Sequence, residues 1–381
     1  MKNKNYFAIP QTGTRCAGTG LLALDVVINE STEAEPKFWA GGSCGNVLSI
    51  LSYLGWESYP LSRLANDSAA EKIKNDLAQF KVRLDFVESS EDGSTPIIIE
   101  KIRTKPDGIP KHTFHFACPY CGIRLPRYKS LTLKIIQERL KTLTDIKAFY
   151  FDKVSPAAIE LANAVRLQGG IVVFEPSGIG DQSLFNKALQ SCHIIKYSHE
   201  RLRNIEEYKS DILPLLQVVT LGEEGLRYIW RGCNNYQEQW QQLPAFEING
   251  FKDAAGSGDW CTAGIIHLLG QNGSTNLEKA SNDKVVEALR FGQALAAINC
   301  LFEGARGSMY ILDRQSMKIA VEKVMLEKST LLTIPEDFSN QTNIIKYTIQ
   351  CVCPGCTKQC YSVKTNSQAE EQNTSLVQNI A

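Results

Sequence analysis

The chain has 381 residues, which is enough for one large α/β domain or two domains of ordinary size. Apolar residues make up 43% of it, so disorder is not the default expectation. Lysine plus arginine equals aspartate plus glutamate at 41 each, so the charge gives no electrostatic footprint for nucleic acid or an anionic membrane. The sequence shows no apolar run of signal-peptide or transmembrane length, and we expect a cytoplasmic protein with no membrane partner.

The first third of the chain predicts two helices and a hairpin. Residues 18–27, GTGLLALDVV, indicate a strand that enters a loop. Residues 46–54 and 69–80 have the apolar spacing of helices, and the first ends at a glycine, a good C-cap. Residues 96–103 and 113–118 predict two strands around the turn KPDGIP. Because these strands do not fit the later pattern, we expect them in a small separate sheet.

The rest of the chain alternates regularly between strands and helices. Apolar runs typical of buried strands lie at 148–151, 171–174, 194–195, 218–221 and 226–230. Helices are predicted at 156–168, near Glu200, at 263–269 and at 285–302. Strand–helix alternation predicts an α/β fold, with a parallel sheet covered by helices on both faces.

The strongest chemical signal is NGFKDAAGSGDWCTAGIIHLLG, residues 249–270. Small residues at 254–258 directly precede a helix, so backbone N–H groups and the helix N-terminus can form an anion hole there. Asp259 follows on the first helical turn, where a carboxylate could accept a proton from an attacking hydroxyl during phosphoryl transfer. A glycine-rich turn with Asp259 as a helix-start residue is the simpler alternative. The segment is neither a P-loop nor a dinucleotide fingerprint.

Four motifs in register give the chain a family resemblance. They are DAAGSGD with Gly264 five residues later, AGGSCGNVLSILSYLG at 40–55, VVTLGEEG at 218–225 and AAINCLFEGA at 296–305. Over about residues 15–312 the chain resembles the PfkB carbohydrate kinases, the ribokinase-like sugar and nucleoside kinases. The resemblance implies an α/β three-layer sandwich with a mainly parallel sheet. It also implies a small β-sheet lid from about 15–40 and 95–120, all within a kinase domain at 1–335.

The resemblance also implies roles for individual residues. Asp259 matches the catalytic base, and Gly256, Ser257 and Gly258 match the anion hole. On the substrate side the matching residues are Asp25, Gly41, Gly42 and Asn46. On the nucleotide side they are Thr220, Gly222, Gly225, Ala255 and, near the adenine, Asn299 with Gln293. Simpler alternatives stay open: a surface carboxylate for Asp25, a helix cap for Asn46 and an ordinary turn for GEEG.

We therefore expect a kinase that uses ATP and Mg²⁺ to phosphorylate a hydroxyl of a sugar, sugar acid or nucleoside. The alternative is a degenerate family member that binds a sugar or nucleotide as a regulator. Two departures favour that alternative: Ala254 replaces a threonine, and the family's magnesium-linked glutamate becomes Arg201 or shifts to Glu200. A usual arginine after the hairpin is also missing, so His112 or His115 could face the substrate. A homodimer through the lid sheet is a further expectation.

Twelve cysteines include six in two tight groups. The turns CPYC at 118–121 and CPGC at 353–356 are of the zinc-knuckle kind, and together Cys118, Cys121, Cys353 and Cys356 predict one structural Zn²⁺ site. Alternatives are a site made only by the C-terminal cysteines, an iron–sulfur cluster there, redox dithiols, or an unligated first pair. We assign residues 336–364 to a cysteine-rich extension and residues 365–381 to a disordered tail.

Overall fold

The computed structural model describes residues 6–11, 13–30, 35–104, 110–202, 213–232, 239–327 and 348–357. The strands are β1 Arg15–Thr19, β2 Ala23–Asn29, β3 Lys37–Gly41, β4 Glu57–Leu64, β5 Val87–Ser89, β6 Ile97–Thr104, β7 Pro110–His115, β8 Ile146–Phe151, β9 Ile171–Phe174, β10 Ile194–Ser198, β11 Leu216–Thr220, β12 Leu226–Trp230 and β13 Gln241–Leu243. The helices are α1 Ser43–Tyr53, α2 Ser68–Gln79, α3 Leu133–Arg139, α4 Pro156–Leu167, α5 Gln182–Ser191, α6 Ser257–Leu269, α7 Ser274–Glu278, α8 Asn282–Asn299, α9 Gly307–Ile311, α10 Arg314–Glu327 and α11 Ile349–Val352.

The central sheet has nine strands in the order β13–β12–β11–β10–β9–β8–β1–β4–β5. The strands from β11 to β5 pair in parallel, and β12 and β13 are antiparallel. Parallel strands are joined by helices, which must lie on the faces of the sheet. The mainly parallel sheet confirms the fold class that the sequence predicted.

Helices cover both faces of this sheet, as the alternation of side chains along its strands shows. In β8, Ala148 and Tyr150 join the core that contains α1, α6 and α8, whereas Phe149 and Phe151 join the core that contains α4 and α5. The strand β9 alternates in the same way. Two separate apolar cores on opposite faces of one sheet make a three-layer sandwich.

Several helices begin at side-chain caps that the sequence supplies. Ser155, Asp67 and Asp181 each accept a hydrogen bond from the backbone N–H three residues further on. Pro156 occupies the first position of α4, where its missing N–H has no helical partner to lose. A cap of this kind stabilises a helix by about 1 kcal/mol, so these starts are fixed locally.

The second sheet has four strands in the order β3–β2–β6–β7 and is the predicted lid sheet. Its central pair, β2 and β6, is parallel, and the outer strands are antiparallel. Leu24, Val26, Ile97 and Ile99 on one face belong to the main core. The other face carries Asp25 and Glu100, so the sheet presents acidic groups on the side away from that core.

The strand predicted over residues 18–27 is wrong, because the chain divides there between the two sheets. β1 ends at Thr19 in the central sheet, and β2 begins at Ala23 in the lid. Gly20 has a φ of +148°, and a Cβ on it would overlap the Asp152 carboxylate, which accepts a 2.9 Å hydrogen bond from the N–H of Leu21. Residues 15–19 therefore belong to the sandwich, and the lid starts later than the sequence indicated.

Some predictions fall outside the described residues. These include most of the turn at 105–110, the tail at 365–381 and much of the extension at 336–364. Of the helix predicted near Glu200, residues 199–201 form a turn and residues 203–212 are not described. In the described part of the chain, no helix combines the length and the apolar character needed to cross a membrane.

Candidate active site

The small-residue loop ends at a left-handed glycine that starts helix α6. Gly256 has a φ of +70°, and a Cβ on it would lie 2.1 Å from the carbonyl oxygen of Ala305. Only glycine fits both the conformation and the close approach. Helix α6 begins at Ser257, six residues earlier than the apolar spacing predicted, so its unbonded N–H groups lie at the loop. This arrangement can bind an anion.

Buried polar side chains hold the loop against the segment that follows α8. The carboxylate of Asp253 accepts hydrogen bonds from the N–H groups of Ala255 and Gly304, each at 2.8 Å. The amide of Asn299 donates to the carbonyl oxygen of Ala255 at 3.2 Å and to that of Ala305 at 3.3 Å. These bonds fix the backbone whose N–H groups would meet a phosphate.

The side chain of Asn299 bonds protein groups on both of its polar atoms. Its side chain has no accessible surface, and its amide oxygen accepts two further hydrogen bonds, from the N–H and the hydroxyl of Ser308. The adenine contact of Asn299 stays a prediction. Gln293 is also buried and donates to the carbonyl oxygens of Leu243 and Pro244. Both residues support the backbone in this structure.

Asp259 lies on the first turn of α6, next to the loop, with 8% of its surface exposed. Its Oδ2 accepts a 2.7 Å hydrogen bond from the side-chain amide of Asn46 on α1. Burial and the nearby Glu175 carboxylate raise the pKa of Asp259 to about 7, while Asn46 and Lys196 act in the opposite direction. A carboxyl group with this pKa can exchange a proton near neutral pH.

A buried ion pair that sequence reasoning missed lies beneath this turn. Lys196 on β10 donates to Oε1 of Glu175, which follows β9, and Thr262 on α6 donates to Oε2 at 2.6 Å. Both charged groups lie within 4 Å of the position that a Cβ on Gly258 would occupy. The only available sequence signal was the lysine inside the apolar strand IIKYS, since a buried lysine requires a partner.

A pocket opens between the lid sheet and the loop. Its lining includes Asp25, Trp39, Glu100, Ala255, Gly304, Arg306 and Tyr310. Residues from the lid and from the predicted phosphate loop therefore share one cavity. Gly42, predicted on the substrate side, donates its N–H to Asp25 of the pocket lining. Asn46 donates to Asp259, and neither of these two residues is part of the lining.

Asp25 is partly buried in this pocket and is not a plain surface carboxylate. Burial and the neighbouring Glu100 raise its pKa to about 7, whereas Arg306 and the N–H of Gly42 lower it. A Cβ on Gly41 would lie 1.9 Å from Oδ2 of Asp25, so the carboxylate occupies the space that this glycine leaves empty. The two glycines thus position Asp25.

Arg306 is the main pocket residue that the sequence analysis missed. It is buried and donates to the carbonyl oxygen of Ala40 and, at 2.6 Å, to Asp76 on α2, which also accepts a 2.6 Å bond from Tyr310. Its Nε and Nη1 have no hydrogen-bond partner among the described residues. The signal was present, because the arginine directly follows the Gly-Ala of the fourth motif.

The residues predicted for the nucleotide lie at the turn between β11 and β12. Gly225 has a φ of +96°, and a Cβ there would lie 2.2 Å from the carbonyl oxygen of Leu243. Gly222 has a φ of +62° and open space around it, and the hydroxyl of Thr220 reaches the carbonyl oxygen of Tyr197 at 3.5 Å. Packing of the turn is sufficient to explain Gly225, and the nucleotide contacts stay a prediction.

Two departures from the family pattern concern the turn after β10 and the histidines of the lid hairpin. Arg201, in the turn after β10, acts on Asp259 by lowering its pKa, and Glu200 beside it is exposed. His115 is exposed and contacts Thr113 next to it on the lid, and the side chain of His112 lies outside the described part. The cation at Arg201, rather than a histidine, is therefore the departure that affects the predicted base.

The two cysteine turns meet away from this pocket. The four Sγ atoms of Cys118, Cys121, Cys353 and Cys356 all lie within 4.8 Å of one another. Cys351 is exposed and is not part of this group. In the described chain the C-terminal pair Cys353 and Cys356 lies with Cys118 and Cys121, and Cys360 lies outside the described residues.

Comparison with known proteins gives matches in structure alone. No protein-family model and no curated protein matches the sequence. A fructokinase from Xylella fastidiosa with bound ATP superposes with a TM-score of 0.64 at 17% identity, covering 82% of this chain and 98% of that one. A ribokinase from Arabidopsis thaliana complexed with ribose and ATP gives 0.59 at 19% identity, covering 82% and 99%. A nucleoside kinase from Burkholderia thailandensis in complex with inosine gives 0.59 at 15%, covering 81% and 98%.

These likenesses extend over nearly the whole length of the solved kinases. The chain therefore has the ribokinase-like fold, as the four motifs implied. At such low identity the likeness establishes the fold, and the reaction has to be argued from the site.

Proposed function

We propose that the protein is an ATP-dependent phosphotransferase that moves the γ-phosphoryl group to a hydroxyl of a small polyol, a sugar or a nucleoside. One observation carries the proposal. The buried carboxyl group of Asp259, held at 2.7 Å by the amide of Asn46, stands on the first turn of a helix whose N-terminus and preceding glycine loop could bind an anion. Base and anion hole side by side are what transfer of a phosphoryl group to a hydroxyl needs.

Asp259 would accept the proton of the attacking hydroxyl. The N–H groups at Ser257 and Gly258 would stabilise the negative charge of the transferring phosphoryl group. Asn46 would orient the carboxylate through its 2.7 Å bond, and its own buried Oδ1, which has no partner among the described residues, would accept a hydrogen bond from the substrate.

The pocket favours a neutral polyol as the substrate. Asp25 and Glu100 offer carboxylate oxygens to hydroxyl groups, and Arg306 offers N–H donors on Nε and Nη1. The charge of Arg306 is already balanced by Asp76. A sugar acid would bring a carboxylate close to Asp25 and Glu100, so we rank sugars and nucleosides above sugar acids.

The resemblance implies Mg²⁺ together with ATP, and the residues present include one carboxylate that could face such an ion. Glu175 is a carboxylate close to the first turn of α6, but Lys196 and Thr262 already bond its two oxygens. Bound Mg²⁺ would neutralise phosphate charge, and we propose that phosphate oxygens and water supply most of its ligands. The nucleotide itself would lie toward Thr220, Gly222, Gly225 and Ala255.

The test is release of ADP from ATP over a panel of sugars, sugar acids and nucleosides, with Asp259→Asn measured on the best substrate. We expect turnover with at least one neutral polyol and a reduction of about 10²–10⁴-fold in kcat for the variant. Circular dichroism and substrate binding should be retained. If acceptors bind but none is phosphorylated, the proposal of a kinase is wrong and that of a degenerate binding protein takes its place.

That second candidate keeps one observation in its favour. Arg201 places a positive charge near Asp259, on the turn where the resemblance implied a magnesium-linked glutamate. A cation there could serve a bound anion without any transfer. The same panel separates the two functions, because only a kinase forms ADP together with a phosphorylated product.

A homodimer through the lid sheet stays part of the proposal. Phe114 on β7 pairs with Glu100 and is 57% exposed, and Phe116 beyond the strand is 51% exposed. Exposed aromatic side chains on a small sheet are typical of a surface that another chain covers. Light scattering at several protein concentrations would show twice the chain mass if this holds. We propose no nucleic-acid or membrane partner.

A further inference from the structure

We propose that Cys118, Cys121, Cys353 and Cys356 bind one structural Zn²⁺ ion that joins the end of the lid hairpin to the C-terminal segment. Four thiolates around zinc at about 2.3 Å form a tetrahedron whose edges are about 3.8 Å long. The Sγ atoms of Cys118 and Cys356 are 3.8 Å apart, and those of Cys121 and Cys353 are 3.5 Å apart. These two distances match the edges of such a tetrahedron, and all four Sγ atoms lie within 4.8 Å of one another.

Each pair lies on a turn that its own backbone holds. In the first, the N–H of Cys118 donates to the carbonyl oxygen of Ile123 and the N–H of Gly122 donates to that of Cys118, both at 2.9 Å. In the second, the N–H of Thr357 donates to the carbonyl oxygen of Cys353 at 3.0 Å. The ligands are thus preorganised, so metal binding costs less conformational entropy.

The sulfur atoms also receive backbone hydrogen bonds. The N–H of Ile123 donates to Sγ of Cys121, and the N–H groups of Gly355 and Cys356 donate to Sγ of Cys353. Four thiolates on one divalent ion leave two negative charges, and N–H donors stabilise that excess. Such donors are the usual surroundings of a thiolate metal site.

The two turns are shaped to meet. A Cβ on Gly355 would lie 2.6 Å from the side chain of Ile123 and 3.1 Å from Sγ of Cys121. Any larger residue would push the turns apart. Cys118, Cys353 and Cys356 are buried, so the site is closed to substrate, as structural zinc sites are.

Other uses of the four thiols fit the geometry less well. A disulfide requires sulfurs about 2.05 Å apart, which neither cross-turn pair approaches. A redox dithiol needs access to a partner thiol, and three of the four residues are buried. An iron–sulfur cluster holds its cysteines farther apart than a single ion does.

The site would anchor the last described segment to the kinase body. Cys118 and Cys353 are 235 positions apart in the chain (353 minus 118), so the ion would close a very long loop. Helix α11 packs against α2, where Ser68 donates to the carbonyl oxygen of Cys351 at 2.8 Å. Helix α2 in turn supplies Asp76, the partner of Arg306 in the pocket.

The test begins with metal analysis of the full chain, purified without chelator or metal-affinity tag. We expect one zinc per chain in the unchanged protein and in Cys351→Ser, the matched control from the same segment. Cys118→Ser and Cys353→Ser should each lose most of the zinc. Stoichiometric zinc retained in both of these variants, zinc absent from the unchanged protein, or iron in its place would overturn the proposal.

A second measurement does not depend on the variants folding. Exchange of the unchanged protein with Co²⁺ should give the intense visible bands of tetrahedral cobalt and the ultraviolet charge-transfer bands of four thiolates. Mass spectrometry after alkylation should show these four cysteines protected and Cys351 modified, with protection lost on adding a strong chelator. Spectra of octahedral cobalt would refute the site. Alkylation of the four cysteines to the same extent with and without the chelator would refute it as well.

Discussion

The amide of Asn46 on α1 donates a 2.7 Å hydrogen bond to the carboxylate of Asp259 on α6. The two residues are 213 positions apart in the chain, and both are buried. The bond joins the helix that follows the lid strand β3 to the helix that follows the anion-binding loop. The predicted substrate side and the predicted base therefore form one unit.

We expect Asn46→Ala to leave less of Asp259 ionised at neutral pH and to lose the orientation of its carboxylate. Removing the donor leaves the ionised form of Asp259 less stable, so the pKa of Asp259 should rise further. A lost hydrogen bond to a charged group costs about 1.5–3 kcal/mol, or roughly 10–100-fold in kcat/KM. Steady-state kinetics measure the loss. Ser49→Ala, one turn further along α1 at a buried hydroxyl without a partner among the described residues, should have no such effect.

The pH profile should show the raised pKa of Asp259. The base acts when ionised, so kcat/KM should fall as pH decreases through about 7. Arg201 lowers this pKa, and its removal in Arg201→Gln should shift the acidic limb to higher pH. Arg83→Gln, at another exposed arginine, should leave the limb in place. A limb near pH 4, the ordinary range of an aspartate, would exclude Asp259 as the titrating group.

Asp259→Asn should stabilise the fold at neutral and alkaline pH. The folded pKa of Asp259, about 7, lies above its unfolded value, so the unchanged protein loses stability as pH rises from about 4 to 7. Asparagine avoids that loss and can still accept the hydrogen bond from Asn46. Thermal unfolding should give a Tm higher by roughly 2–4 °C at pH 8. The gain should shrink toward pH 4, and a variant that is less stable at pH 8 would contradict the burial argument.

Gly256→Ala should damage the anion-binding loop. Alanine at a φ of +70° costs about 1–2 kcal/mol, and its Cβ would meet the Ala305 carbonyl at 2.1 Å. We expect lower stability and a loss of kcat well beyond tenfold, because the loop backbone must move. Gly250→Ala is the matched control, with a φ of +84° and no atom within 4 Å of the added carbon. Equal losses in the two variants would mean that backbone strain alone explains the effect.

Gly41→Ala should weaken substrate binding selectively. The added carbon would lie 1.9 Å from Oδ2 of Asp25, so the carboxylate must turn away from the pocket. We expect the KM for the polyol to rise by about tenfold or more, which corresponds to 1.4 kcal/mol, with little change in the KM for ATP. Gly45→Ala in α1, where the new carbon meets Leu22 at an ordinary 3.7 Å, should leave both constants unchanged.

Local features of the sequence predicted the loop and the first-turn carboxylate of the site. A run of small residues directly before a helix leaves the backbone N–H groups accessible, and Asp259 follows it by one position. The glycines at 41 and 42 were likewise visible, since a glycine pair marks a close approach of the backbone. The thiol turns at 118–121 and 353–356 stood out by their spacing alone.

The roles of residues that depend on a partner distant in the sequence could not be predicted from local features. Arg306 depends on Asp76, and Lys196 depends on Glu175. In each case the sequence around the cation gives no indication of the position of its counter-ion. The division of residues 18–27 between two sheets also escaped the pattern, because Asp152, far along the chain, decides the bend at Gly20.

The sequence by itself determined the alternation of strands and helices, the glycine loop with its carboxylate, and the two cysteine turns. Short-range periodicity and backbone preferences are sufficient for these features. Only the tertiary structure decided that Asn46 reaches Asp259, that Asn299 supports the loop and that the cysteine turns meet. Those contacts join positions 44 to 232 residues apart, and the packing of whole layers, which no local pattern encodes, brings them together.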